Sequence, residues 1–125
     1  MTQEFQTSKP IYMQIAERIF QQIVRGEMAS GEKLASVREM AIQTGVNPNT
    51  IQRTYSEMER MGIVETRRGQ GTFITENKVI LTELKIRLQT DIIQSFVKSM
   101  KDIGFSKEEI VQGLQDYLNG CDEHD

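Results

Sequence analysis

Cysteine is nearly missing from this chain. Cys121 stands alone among 125 residues, so no internal disulfide can form. Histidine is as scarce: His124 is the only one, and a single histidine beside a single cysteine excludes a zinc cluster. No apolar run approaches the ~18 residues of a membrane-spanning helix. The start, Met1-Thr2-Gln3-Glu4-Phe5, has neither a basic cluster nor an apolar block, so no secretory signal is expected. Proline occurs twice, as Pro10 and Pro48, and both positions look like helix starts. There is no phosphate-binding glycine loop and no dinucleotide fingerprint. The acidic pair Glu108-Glu109 falls at a helix start, where the macrodipole favours it. Cys121 has only acidic neighbours, which do not activate a thiol, and the seven methionines read as core filler. These absences argue against an enzyme, a metal protein or a cofactor carrier. They fit a protein of the reducing cytoplasm, built as one small domain plus an extension and not associated with a membrane.

What is present is a split in charge and pattern. The net charge is −3, yet residues 1–75 hold nine Lys/Arg against eight Asp/Glu, and residues 76–125 hold six against ten. The basic residues of the first part include Arg38, Arg53, Arg67 and Arg68. A local basic face on an acidic protein can bind DNA, because the field near the phosphates is what counts. Charge alone fits an ordinary solvated surface equally well.

The stretch Gly45-Val46-Asn47-Pro48-Asn49-Thr50-Ile51-Gln52-Arg53 carries more information. Gly45 can close a preceding helix in the left-handed conformation, Asn47 can cap a new one, and Pro48 falls at the first helical position. At helical spacing Ile51, Tyr55 and Met58 share one side, while Asn49, Gln52, Arg53, Ser56 and Arg60 share the other. Asparagine and glutamine can bond adenine in bidentate fashion, and arginine can do so with guanine. The helix therefore has the surface of a DNA-reading element.

The flanking elements fit. Ile11, Ile15, Ile19 and Ile23, with Ala16 and Phe20, follow helical spacing from Pro10 to Arg25, and Gly26 ends that helix. Residues 30–34 read as a loop with Leu34 inward. Ser36-Val37-Arg38-Glu39 is a capping box that starts a short helix ending near Gly45. Ala41, Gly45 and Ile51 then have helix-turn-helix spacing. Ile63–Arg67 and Thr72–Thr75 read as two short strands around the tip Arg68-Gly69-Gln70-Gly71. Backbone at Gly69 can approach a phosphate or enter a minor groove, with Arg67 and Arg68 beside it.

Beyond Asn77, Leu81, Leu84, Leu88, Ile92 and Phe96 line one stripe, widened by Ile86, Ile93, Val97, Met100 and Ile103. A helix from Lys78 to Ile103 would be about 39 Å long. Gly104 ends it, Ser106–Glu109 is a second capping box, and a last helix shows Ile110, Val111, Leu114, Tyr117 and Leu118. Gly120 and the acidic tail Asp122-Glu123-His124-Asp125 close the chain. Helices this apolar must pack on the first domain or on a second copy, and a symmetric dimer is the simplest outcome. The expected fold is mainly α with a small β-hairpin wing: a flexible start at 1–8, a winged helix-turn-helix over 9–75, a two-helix dimerisation region over 76–120, and an acidic tail. The expected dimer interface is Leu81, Leu84, Leu88, Ile92, Phe96, Leu114 and Leu118.

Three separated pieces, residues 31–39, 45–53 and 68–74, resemble in order and spacing the N-terminal winged helix of GntR-family transcription regulators. The short two-helix tail and the Asn-Pro-Asn-Thr turn resemble the YtrA subfamily. The resemblance implies a dimeric bacterial repressor, often of a membrane-transporter operon. The symmetry of a helix-turn-helix dimer adds the expectation of a palindromic operator, and release by a small ligand is expected although the sequence names none. It places DNA contacts on Arg38, Asn47, Asn49, Thr50, Gln52, Arg68 and Gly69; the residues themselves add Arg53 and Arg67. The family usually has proline where this chain has Ala35, and many members have arginine where it has Pro48 and Gln52. Base preference therefore does not transfer, and Asn47, Asn49 and Arg53 carry more of the readout. The length and single histidine leave no room for the large effector domain or histidine-rich metal site of other subfamilies, so any ligand site must be small and lie between the tail helices or at the dimer interface. The competing reading, a winged helix used for protein contact, does not need a polar helix face beside a two-arginine wing.

Overall fold

The computed structural model describes residues 8–124, with side chains through Gly120. The start expected to be flexible lies, but for Ser8, outside the described residues. In order the elements are α1 (Ile11–Val24), α2 (Val37–Thr44), α3 (Pro48–Arg60), β1 (Val64–Arg67), β2 (Gly71–Ile74), α4 (Lys78–Asp102) and α5 (Lys107–His124). They form two compact units, Met1–Lys85 and Ile86–Asp125, so the division falls inside α4.

The first unit is built around α3. Ile51 and Met58 are fully buried and Tyr55 nearly so, as the helical spacing predicts. Against them pack Ile15, Ile19 and Phe20 of α1, and Leu34, Ile63, Val64 and Ile74 complete the core. Burying a side chain of this size contributes roughly 1.5–3 kcal/mol. Polar bonds then fix α3 to three neighbours. The Thr54 hydroxyl, itself fully buried, donates to the Tyr12 carbonyl at 3.1 Å. The Tyr55 hydroxyl donates to the Ala35 carbonyl at 2.7 Å, tying down the loop before α2. The Thr66 amide donates to Glu59 Oε2 at 3.2 Å, joining β1 to the end of α3.

β1 and β2 pair antiparallel, with Val64 opposite Ile74 and Arg67 opposite Gly71. Residues 31–34, expected to be a loop, instead lie along the free edge of β2. The Gly31 amide donates to the Ile74 carbonyl, the Ile74 amide to Glu32 and the Leu34 amide to Thr72, each at 2.8 Å. No alternation marks this segment in the sequence; the exposed edge of β2 recruits it, because unpaired strand groups seek partners.

α4 starts where Asn77 Oδ1 accepts from the Val79 amide at 3.0 Å. Its first turns belong to the first unit. Leu84 is 1% exposed there and cannot serve a second copy as well, which corrects its place in the expected dimer interface. The same helical stripe passes from a buried seat at Leu84 to open surface at Ile92, 68% exposed.

In the second unit, Gly104 (φ +95°) separates the helices, and the Ser106–Glu109 capping box closes as expected, with bonds of 2.9 and 3.2 Å. α5 does not stop at Gly120. It runs through both Gly113 and Gly120 to His124, so residues 121–124 are helical and do not form a separate tail. Gly120 takes no left-handed turn there. Ile110 is the one buried apolar side chain of this unit among the described residues. Ile86, Ile92, Ile93, Ile103, Val111, Leu114, Tyr117 and Leu118 remain exposed. No described helix is long and apolar enough to cross a membrane.

Burial pushes the Tyr55 phenol up to about 12, with the nearby Glu39 carboxylate adding to the effect. Its proton is held more tightly in the folded state than at the ordinary value of about 10. The stability it supplies is therefore intact below about pH 10 and lost as the pH climbs towards 12. Ultraviolet titration should show one phenol ionising late, near pH 12, together with the onset of alkaline unfolding. Tyr55→Phe should remove that ionisation and cost about 1 kcal/mol in neutral urea unfolding, the worth of one internal hydrogen bond.

Candidate nucleic-acid interface

The turn between α2 and α3 is built from its caps. Gly45 sits at φ +69° and its amide donates to the Ala41 carbonyl at 2.9 Å, ending α2. Asn47 follows as the N-cap of α3: its Oδ1 accepts from the Asn49 amide at 2.7 Å. Pro48 occupies the first helical position. On the other side of the turn, Ser36 Oγ accepts from the Glu39 amide at 3.1 Å, and the Ser36 amide donates to Glu39 Oε1 at 2.9 Å. Those bonds to Ser36, aided by Lys33, hold the Glu39 carboxyl below the usual carboxylate range. Arg38, exposed in the first turn of α2, is thus carried on a helix whose start is fixed.

Every residue expected on the outer face of α3 lies there. Asn49, Gln52, Arg53, Ser56 and Arg60 are exposed, and Thr50 is half-buried on the flank. They are not equivalent. Asn47 spends its side-chain oxygen on the cap, which leaves chiefly its amide donors. Asn49, at the second helical position, keeps both oxygen and amide for a bidentate partner. Gln52 Nε2 lies 3.5 Å from Ser56 Oγ, a long contact that restrains it little. Arg60 is paired with Glu57, its Nε donating to both carboxylate oxygens at 3.1 Å, and that bond holds the Glu57 carboxyl low. Arg53 stacks its guanidinium 4.0 Å from the centre of the Tyr12 ring. Tyr12 carries no signal in the sequence beyond its place in α1; only the packing of α1 on α3 brings it to Arg53.

The wing tip also divides. Arg67 is half-buried, in β1, with its guanidinium 4.2 Å from the Phe73 ring centre, so it braces the hairpin. Arg68 is exposed at the tip. Gly69 has φ +75°, and nothing lies within 4 Å of where its Cβ would be, so its backbone stands open to a ligand. Behind it Lys33 crosses the wing, its Cε only 2.7 Å from where a Cβ on Gly71 would sit. Lys33 was not among the expected contacts, since residues 30–34 read only as a loop with Leu34 inward.

A polar helix ridge with a capped N-terminus, followed by a glycine-tipped hairpin, is the surface that a winged helix presents to nucleic acid. Comparison with known proteins agrees over the same span. The family model described as "Bacterial regulatory proteins, gntR family" matches residues 11–74. The chain belongs to the GntR family. It is 61% identical over 120 residues to the uncharacterized HTH-type transcriptional regulator YhcF of Bacillus subtilis, covering 96% of this chain and 99% of that one. It is 37% identical over 111 residues to the HTH-type transcriptional repressor YtrA of Bacillus subtilis, covering 88% and 85%. A solved structure, a GntR family transcriptional regulator from Listeria monocytogenes, superposes with a TM-score of 0.84 at 40% identity, covering 90% of this chain and 98% of that one. These matches run beyond the wing into the tail and support a place in the YtrA-like subfamily. GntR regulators are DNA-binding proteins and not enzymes.

The division of labour between the two asparagines is measurable. Asn47→Ala should lower thermal stability by about 1 kcal/mol, the usual cost of losing an N-cap. Asn49→Ala should leave unfolding unchanged within error. Equal stability losses in both variants would show that the capping bond does not favour Asn47.

Proposed function

We propose that this GntR regulator acts in the cytoplasm as a symmetric homodimer that represses transcription from a palindromic operator. The observation that carries the reading is the free ridge of α3, where Asn49 and Arg53 stand exposed next to the fixed turn. Asn49 and Arg53 read base edges in the major groove, with Gln52 beside them. Arg38, Thr50 and Asn47 hold the helix on the backbone. Arg68 and the Gly69 backbone contact the groove or phosphates beside the wing, and Arg67 supports them from its seat on Phe73.

The dimer reading rests on the second unit. Ile92, Leu114 and Leu118 are 68%, 43% and 52% exposed, and a unit with one buried apolar side chain among its described residues does not hold two helices together by itself. Leu88, Ile92 and Phe96 of α4 and Leu114 and Leu118 of α5 would cover one another across a two-fold axis, with Leu81 at the edge. Half-sites would then lie about 34–36 Å apart or at a multiple of that spacing. The YtrA-like kinship supports repression. Control of a transporter operon and release by a small ligand held among the tail helices complete the proposal. It requires no cofactor.

A footprint on the chain's own upstream region should reveal a palindrome. Affinity for that site should fall steeply between low and high salt, by about tenfold or more for each few phosphate contacts released. Affinity that stays flat with salt would rule out phosphate contact. Asn49→Ala should cost about 1–3 kcal/mol on the operator and little on random DNA. In sedimentation, Leu88→Asp or Ile92→Asp should convert a dimer to monomers; a monomeric wild type would end the dimer proposal.

A further inference from the structure

The Arg53 guanidinium lies over the Tyr12 ring, and the residue that carries the ring is bonded to the helix that carries Arg53. The Tyr12 carbonyl accepts from the Thr54 hydroxyl at 3.1 Å, and Thr54 is fully buried. The same hydroxyl lies 3.0 Å from the Thr50 carbonyl, so its one proton is shared between the start of α1 and the turn of α3 that carries Thr54. Arg53 immediately precedes Thr54 in α3, and its guanidinium lies 4.0 Å from the ring centre. Arg53 is exposed and the ring is half-buried, so the ring is the fixed partner and the guanidinium the mobile one. Seating the guanidinium over the ring uses none of its N–H donors, and it is through its N–H edge that an arginine makes a bidentate contact with a base. Further back, the Gln14 side chain donates to the Lys9 carbonyl at 2.8 Å, and Lys9 pairs with Glu17 at 3.1 Å, so the turn bearing Tyr12 is itself held.

We infer that Tyr12 is a positioning residue for DNA recognition: its ring holds the Arg53 guanidinium in the orientation that reads a base, and it does so from α1, an element that carries none of the expected DNA contacts. A long side chain that meets DNA already stacked has fewer torsions left to freeze on binding. This rests on the proposed reading of α3 as the base-reading helix. It deepens that reading by assigning part of the specificity to a residue outside the helix-turn-helix.

The test is a double-mutant cycle on operator and random DNA, using full-length protein. Tyr12→Leu should weaken operator binding about two- to fivefold, the range of an exposed cation–π contact, and leave random DNA affinity in place. Tyr12→Phe, which keeps the ring, should bind like the wild type. In an Arg53→Ala background, Tyr12→Leu should have no further effect on operator preference. An undiminished Tyr12→Leu effect in that background would overturn the inference, as would equal loss on random DNA. Loss of affinity in Tyr12→Phe would place the hydroxyl on a phosphate and overturn it too. Thermal unfolding of each variant separates misfolding: a destabilised Tyr12→Leu whose operator defect persists at a temperature where it is fully folded supports the inference, and one whose defect vanishes there overturns it. If Arg53→Ala alone leaves operator preference unchanged, the base-reading role of Arg53 fails. If Arg53→Ala alters preference and Tyr12→Leu does not, only the inference fails.

Discussion

The buried face of α3 is the constraint on which the first unit depends. Ile51, Tyr55 and Met58 cannot leave the core without exposing a large apolar area, so the helix has one rotational setting. Hydrogen bonds donated by Thr54 and Tyr55 and one accepted by Glu59 then lock it to α1, the loop before α2, and β1. Because the helix cannot roll, its outer ridge is a rigid surface. A reading element gains from this, since the cost of orienting it is met during folding and not on binding.

The same logic grades the polar residues of that ridge. Groups already bonded inside the protein have less to offer a partner. Asn47 is committed to the cap, and Arg60 to Glu57. Arg67 is held over the Phe73 ring and Arg53 over the Tyr12 ring, contacts that use no hydrogen-bond donor of either guanidinium. The exposed ion pair of Arg60 and Glu57 adds little stability. Its effect is to reduce the free charge at the far end of α3 and leave Asn49 and Arg53 as the prominent groups near the start.

The wing shows how a weak local pattern is completed by its neighbours. Two four-residue strands are marginal alone. Residues 31–34 add a third line of hydrogen bonds on β2, and Lys33 lies over Gly71. Ala35, where the family usually has proline, stands at the end of this line and is held by the Tyr55 hydroxyl. A hydrogen bond from the core thus restrains the segment where the ring of proline is missing.

The sequence by itself determined the elements and the family. Caps and periodicity are local: Ser36 to Glu39, Gly45, Asn47-Pro48 and Ser106 to Glu109 each act within one turn, so they are legible without a fold. The polar ridge of α3 was legible for the same reason. Tertiary structure alone decided what those faces meet. It seated Leu84 in the first unit while leaving Ile92 exposed on the same stripe, drew residues 31–34 onto β2, carried α5 through Gly120, and set Tyr12 under Arg53. None of these follows from helical spacing. Spacing says which residues share a face; only the packing of distant segments says whether that face is covered, and by what.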